Sequence, residues 1–118
     1  MIERHRMVIE GFGCRARTLT DCSAFMTQLV RRLGTLELGR IQINVVPKTI
    51  LNSRGKFAVP GISVLVEYLE SGAGLRTWPE ERFVTLDIFS CKEFDSQSII
   101  VLFKGFFSPE KIRKVYFK

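Results

Sequence analysis

One histidine and three cysteines carry most of the metal-binding and nucleophilic capacity of this sequence, and their placement excludes the commonest uses. Cys14, Cys22 and Cys91 show no Cys-x-x-Cys spacing, and His5 lies outside any ligand motif. A structural zinc site needs about four closely grouped ligands, so a metal centre is not expected. A Ser–His–Asp or Cys–His arrangement would have to recruit His5 from the chain start, and the simpler reading makes it a surface residue. If the chain is an enzyme, its chemistry must come from side chains other than imidazole.

The 118 residues fit one domain, 1–118, and 18 basic against 12 acidic residues give a net charge of +6. The basic residues are spread along the chain, with short pairs at Arg31–Arg32 and Arg113–Lys114. No basic helix, zinc finger or aromatic RNA-binding strand is present, so the charge reads as solvated surface and no nucleic-acid partner is expected. No apolar run approaches the ~18 residues that span a bilayer. The longest candidates, Ile99–Phe103 and Ile62–Val66, read as core. Glu3, Arg4, His5 and Arg6 leave no apolar signal-peptide segment, which makes a cytoplasmic location the default expectation.

The elements that must position any site follow from periodicity. Arg6–Phe12 alternates as a strand and is broken by Gly11 and Gly13. Thr20 or Asp21 is placed to cap a helix through Ala24–Leu33, where Phe25, Met26, Leu29, Val30 and Leu33 recur at helical spacing and Gly34 suits the C-cap. Gly39–Val46 alternates as a strand ended by Pro47, and Asn52–Lys56 forms a polar turn around Gly55. Ile62–Leu69 is a third strand, Ser71–Gly74 a small-residue break, and Leu75–Trp78 resumes extended structure until Pro79. Phe83–Phe89 places Phe83, Thr85, Asp87 and Phe89 on one face. Asp95 or Ser96 caps a second helix running to about Lys104, stopped by Gly105, and Lys111–Phe117 reads as an edge strand. This order predicts an α+β fold: a two-layer sandwich of a mostly antiparallel sheet with two helices on one face. Apolar residues on both strand faces favour a partner against the open one.

The segment from Phe57 to Cys91 carries a set of anchors in register: Phe57, Gly61, Ser63, Glu70–Ser71, Thr77-Trp78-Pro79-Glu80 and Asp87-Ile88-Phe89-Ser90-Cys91. This pattern resembles the core of the prokaryotic S-adenosylmethionine decarboxylases, small pyruvoyl-dependent enzymes of polyamine synthesis. It spans about a third of the chain, and a weaker echo at Met7–Cys14 and the following helix extends it.

The resemblance implies a proenzyme that cuts itself between Glu70 and Ser71. The Ser71 hydroxyl would attack the preceding carbonyl, and elimination from the resulting ester would leave a covalent pyruvoyl cofactor. That ketone would condense with the substrate amine and take up the electrons left by loss of carbon dioxide. Gly72 and Gly74 beside Ser71 suit unusual backbone angles at a strained scissile turn. Cys91 matches the residue that reprotonates the decarboxylated carbon, and Ser63 one that assists processing. Glu80 matches the carboxylate that accepts ribose hydroxyls, and Phe57 and Trp78 match positions around the adenine.

Two positions depart from the family pattern. Histidine is usual where this chain has Arg76, and directly after the cleavage serine, where it has Gly72. The first of these imidazoles takes a proton during processing, whereas arginine stays protonated. Processing would then use another base, run slowly or fail. Arg76 is instead suited to hold a carboxylate or an oxyanion by bidentate hydrogen bonds, which would suit a changed substrate. The expected assembly is a homodimer of processed protomers acting on a small-molecule substrate. Alternatives are the same chemistry on arginine or ornithine, and an unprocessed paralogue that binds a ligand or regulates a partner.

Overall fold

Alternating apolar residues build a six-stranded sheet in which every adjacent pair is antiparallel. The computed structural model describes residues 5–15, 17–33, 40–52, 55–68, 71–90 and 93–117, with 19, 40–52, 55–61, 66–68, 71 and 117 described in backbone alone. The elements are β1 (His5–Phe12), α1 (Leu19–Arg32), β2 (Arg40–Asn52), β3 (Gly55–Tyr68), β4 (Ser71–Trp78), a 3₁₀ turn (Pro79–Glu81), β5 (Phe83–Ser90), α2 (Ser96–Phe107) and β6 (Lys111–Phe117). Their order across the sheet is β2-β3-β4-β5-β1-β6, so β6 is an edge strand as its sequence predicts.

Met7, Ile9, Val64, Leu75, Leu86 and Ile88 form a buried stripe on the helix-covered face. Both helices lay their apolar sides on it, and Phe25 of α1 packs edge-on against Phe103, Phe106 and Phe107 of α2 at 6.2, 5.4 and 5.2 Å. The two-layer α+β sandwich is therefore as the sequence predicts. On the open face, Phe12, Phe89 and Val115 stay exposed.

The helix ends differ from their sequence-based placement. Thr18, rather than Thr20 or Asp21, caps α1: its hydroxyl accepts the Asp21 N–H at 3.1 Å, while the Asp21 carboxylate accepts the Thr18 N–H at 3.4 Å. Asp95 caps α2 as expected, accepting from Gln97 and Ser98 N–H. Gly105 does not stop α2. The helix runs to Phe107 and ends on Ser108 at φ 44°, because burying Phe107 outweighs the helix cost of one glycine.

Two further expectations are corrected. Pro47 does not end β2, which continues to Asn52 with Pro47 opposite Pro60. The Ile62 N–H points towards β4, donating to Thr77 Oγ1 at 3.0 Å. Alternation turns the Pro60 nitrogen to that same side, away from β2, so the opposed prolines cost the hairpin no ladder bond. His5 is buried, not a surface residue: it shares the inward register of Met7 and Ile9, and its Nδ1 lies 3.1 Å from the Tyr116 hydroxyl.

The ladder between β3 and β4 stops at Ser63↔Arg76, whereas that between β2 and β3 continues to Asn52↔Gly55. Residues 55–62 of β3 therefore share a backbone ladder with β2 alone, Ile62 reaching β4 through the Thr77 hydroxyl, in an arm of about 26 Å at the rise of a strand. It lies within a molecule measuring 48 × 28 × 28 Å.

Candidate active site

The central strands divide the sequence-predicted site residues into two groups. Ser71 opens β4, paired with Tyr68, so the chain reverses between them. Glu70 precedes Ser71 in sequence and Cys91 follows the last residue of β5; both are outside the described residues. The ladder pairs Gly72 with Phe89, which brings the start of β4 beside the end of β5. Gly72 and Gly74 continue this strand in ordinary extended conformation. Gly13 is the glycine with positive φ among the described residues, so the expected unusual angles beside Ser71 are not found.

The second group lies towards the other end of β4. Ser63 of β3 faces Arg76 of β4 across the ladder. Arg76 Nη1 lies 3.9 Å from Asp87 Oδ2 of β5, with both side chains partly exposed. Two residues on, Trp78 stacks at 5.2 Å on Phe83, which in turn stacks at 5.1 Å on Phe12. Trp78, Phe83 and Phe12 are successive cross-strand partners, so the rings form a row over β4, β5 and β1. Glu80 stands exposed in the 3₁₀ turn that follows. Phe57 lies in the hairpin arm opposite Ile50, described in backbone alone.

Five residues of strand separate Ser71 from Arg76, about 16 Å along one strand. A single copy of the chain thus gathers Ser63, Arg76, Trp78 and Glu80 in one region and leaves Ser71 at the far end of β4.

Two further residues shape this region: Asp87, read from the sequence only as a motif anchor, and Arg82, not singled out at all. Asp87 holds the Arg76 guanidinium. Its alternation with Thr85 and Phe89 already put it on that face, but only the pairing of β4 with β5 reveals the partner. Arg82 has no comparable signal, because it closes the 3₁₀ turn with a left-handed backbone (φ 53°) that arginine rarely adopts. Its Nε and Nη2 donate to the Cys14 and Gly13 carbonyls at 3.2 and 3.1 Å, and its own carbonyl accepts the Cys14 N–H at 2.8 Å. These bonds fasten the segment bearing Trp78 and Glu80 to the loop after β1.

Cys14 and Cys22 are buried, and loss of hydration pushes both thiols up to about 11. At Cys14 this outweighs the Val84 backbone hydrogen bond and the nearby Arg82 charge. Neither thiol is primed as a nucleophile.

Residues 5–118 match the family described as S-adenosylmethionine decarboxylase. The chain belongs to that family. Relatives include the S-adenosylmethionine decarboxylase proenzyme of Clostridium botulinum (strain Loch Maree / Type A3), 28% identical over 101 residues, covering 85% of this chain and 79% of that protein. The proenzyme of the same name from Methanococcus maripaludis (strain C5 / ATCC BAA-1333) is 26% identical over 107 residues, covering 90% of this chain and 80% of that protein. Among solved structures, the adenosylmethionine decarboxylase from Aquifex aeolicus VF5 superposes with a TM-score of 0.73 at 16% identity, covering 98% of this chain and 89% of that one. At that identity the likeness establishes the family's fold.

Proposed function

We propose that this chain is a pyruvoyl-dependent S-adenosylmethionine decarboxylase that cuts itself between Glu70 and Ser71 and acts as a homodimer. The family match over residues 5–118 carries this reading. Ser71 fits the role of cofactor precursor, because it begins a strand directly after the chain reverses. A cut before it removes no paired residue: β3 stays in one fragment and β4 in the other, hydrogen-bonded across the ladder. The pyruvoyl ketone so formed supplies an electron-accepting carbonyl for decarboxylation.

The chain's own residues do the rest. Exposed Glu80 accepts the ribose hydroxyls, and the Trp78 ring offers a flat face to the adenine, with Phe57 the other position that the family pattern assigns to the adenine. Cys91 returns a proton to the product carbon, and Ser63 assists processing. Arg76, paired with Asp87, offers a donor fork to a substrate carboxylate.

The separation of Ser71 from Ser63 and Arg76 supports the dimer. One protomer supplying Ser71 and another supplying the Ser63–Arg76 region completes a site that a single chain holds apart. The hairpin arm beyond the β3–β4 ladder and the apolar side chains of the open face are the surfaces such a dimer would cover.

Purified protein should release carbon dioxide from carboxyl-labelled S-adenosylmethionine. Release from arginine or ornithine instead would reassign the substrate, and release from none would overturn the enzyme reading in favour of an unprocessed binding paralogue, for which Arg76 is the specific observation. Co-expressed Ser71→Ala and Ser63→Ala chains should recover activity in mixed dimers. No recovery would show that each site is completed within one chain.

A further inference from the structure

The single imidazole of the sequence is buried at the end of the sheet where Ser71 lies. His5 opens β1 and stands directly opposite Ser90, the last residue of β5. Both are buried on the helix-covered face, His5 in register with Met7 and Ile9, and Ser90 with Leu86 and Ile88. Directly opposed residues of an antiparallel pair set their Cβ atoms about 4.5–5.5 Å apart, so imidazole and hydroxyl are neighbours. The pairing of β4 with β5 ends at Gly72↔Phe89, and one step further along that register position 71 falls level with Ser90. Alternation assigns position 71 to the face on which Ala73 and Leu75 are buried. Positions 71, 90 and 5 therefore form a row across β4, β5 and β1. Adjacent strands stand about 4.8 Å apart, so His5 is about 10 Å from position 71, with Ser90 midway.

The ring is fixed from its other side. Its Nδ1 lies 3.1 Å from the Tyr116 hydroxyl of β6, and Phe94 meets it edge-on at 6.4 Å. In the sheet order β1 lies between β5 and β6. The two nitrogens of an imidazole point in widely different directions, so a ring that gives Nδ1 to Tyr116 turns Nε2 away from β6. Ser90 from β5, Tyr116 from β6 and Phe94 from the segment before α2 thus face the ring, and Tyr116 is the titratable group among these three. Arg76, five residues along β4 and paired with Asp87, is no base for a hydroxyl at position 71.

We propose that His5, acting through the Ser90 hydroxyl, takes up the proton that Ser71 must lose to attack the Glu70 carbonyl. This role rests on the self-cleavage proposed above. As the Ser71 oxygen bonds to the carbonyl carbon, its proton passes to Ser90 Oγ, and Ser90 yields its own to His5 Nε2. Nδ1 keeps its hydrogen and donates it to Tyr116, which leaves Nε2 as the acceptor. The bond from the carbonyl carbon to the Ser71 nitrogen then breaks. The proton returns by the same route to that nitrogen, leaving an ester and a free amine. The later elimination from the ester is a separate step, and position 76 belongs to that one.

Hydroxylamine cuts an ester and spares amides, so it isolates the first step. Precursor purified cold and warmed with saturating hydroxylamine should yield fragment 1–70 ending in a hydroxamate and fragment 71–118 beginning with serine, read by intact mass. His5→Gln and Ser90→Ala should each slow this cut about a hundredfold or more, with the circular dichroism spectrum unchanged. The double variant should be no slower than either single one, because both remove the same relay. The wild-type rate should rise with pH and level off as the imidazole loses its proton, and His5→Gln should abolish that rise. A loss of packing alone would lower the curve and keep its shape. Should His5→Gln fail to fold, Ser90→Ala, which removes a single oxygen, carries the test. Cutting that both variants leave unchanged in rate and pH dependence overturns this role while self-cleavage stands. Cutting with hydroxylamine but never without it, slowed in both variants, supports the relay and overturns maturation to a pyruvoyl group. No cut in the wild-type chain under either condition overturns both.

Discussion

Replacing Arg76 with histidine should accelerate self-cleavage, and the size of the effect follows from the two side chains. Arginine stays protonated throughout the working pH range, so at about pH 7.5 essentially none of it can take a proton. A histidine of ordinary pKa, ~6.5, is roughly 90% neutral there. Positioned general bases typically contribute ~10²–10⁴ in rate, so Arg76→His should speed maturation at least about a hundredfold. The fold should tolerate the change. The ion pair it removes spans 3.9 Å between side chains that are 51% and 40% exposed, and such pairs contribute less than about 1 kcal/mol. Asp87 would stabilise an imidazolium at position 76, so the rate should rise sigmoidally with pH around a midpoint at or above ~6.5. Asp87→Asn in the same background should lower that midpoint. Precursor purified cold and warmed at a series of pH values, with cleavage followed by mass spectrometry, gives the profile. Maturation of Arg76→His at the wild-type rate with no pH dependence would refute the assignment of this position to proton removal.

Other consequences concern the scaffold. A Cβ at Gly11 would lie 2.8 Å from both Cys14 Sγ and Phe103 Cε1, so Gly11→Ala should cost about 1–3 kcal/mol in denaturant unfolding. Thr18→Ala removes the reciprocal cap of α1 and should cost about 1 kcal/mol by the same measurement. The Cys14 and Cys22 thiols are raised from 9.0 to about 11, so the folded state keeps its protons where the unfolded state has released them. Their contribution is complete below pH 9 and is lost as pH rises towards 11, which alkaline thermal melts of wild type against Cys22→Ala should register. In the sheet order, β1 lies between β5 and β6, so the two fragments of a cleaved chain are interleaved. They should co-elute in gel filtration and separate only in denaturant.

Much of this fold was legible because its elements carry strong local patterns. The inward stripe of α1 and the Asp95 cap of α2 are both written in short stretches of sequence. The misplacements arose where tertiary context overrode a local signal. Gly105 is tolerated because Phe106 and Phe107 beyond it pack on Phe25. Pro47 is tolerated because its partner strand turns both proline nitrogens outward. His5 is buried because β6 folds back to set Tyr116 beside it, a contact 111 residues away in sequence. The candidate site was legible as a motif but not as an arrangement. Ser63, Ser71 and Arg76 sit in one short segment, yet only the ladder register reveals that Ser71 is held apart from the other two. The Asp87 partner of Arg76 and the Arg82 clamp on the 3₁₀ turn depend on strand pairing and on a left-handed residue that no local pattern announces.

The central claim is that Ser71 becomes the cofactor, and the intact mass of the purified chain tests it most directly. Maturation predicts two species, 1–70 and 71–118, the second with a blocked N-terminus and the mass of a pyruvoyl group in place of serine. Ser71→Ala should give a single uncut chain. A single uncut mass for the wild-type protein, under conditions that mature the Arg76→His variant, would contradict the claim.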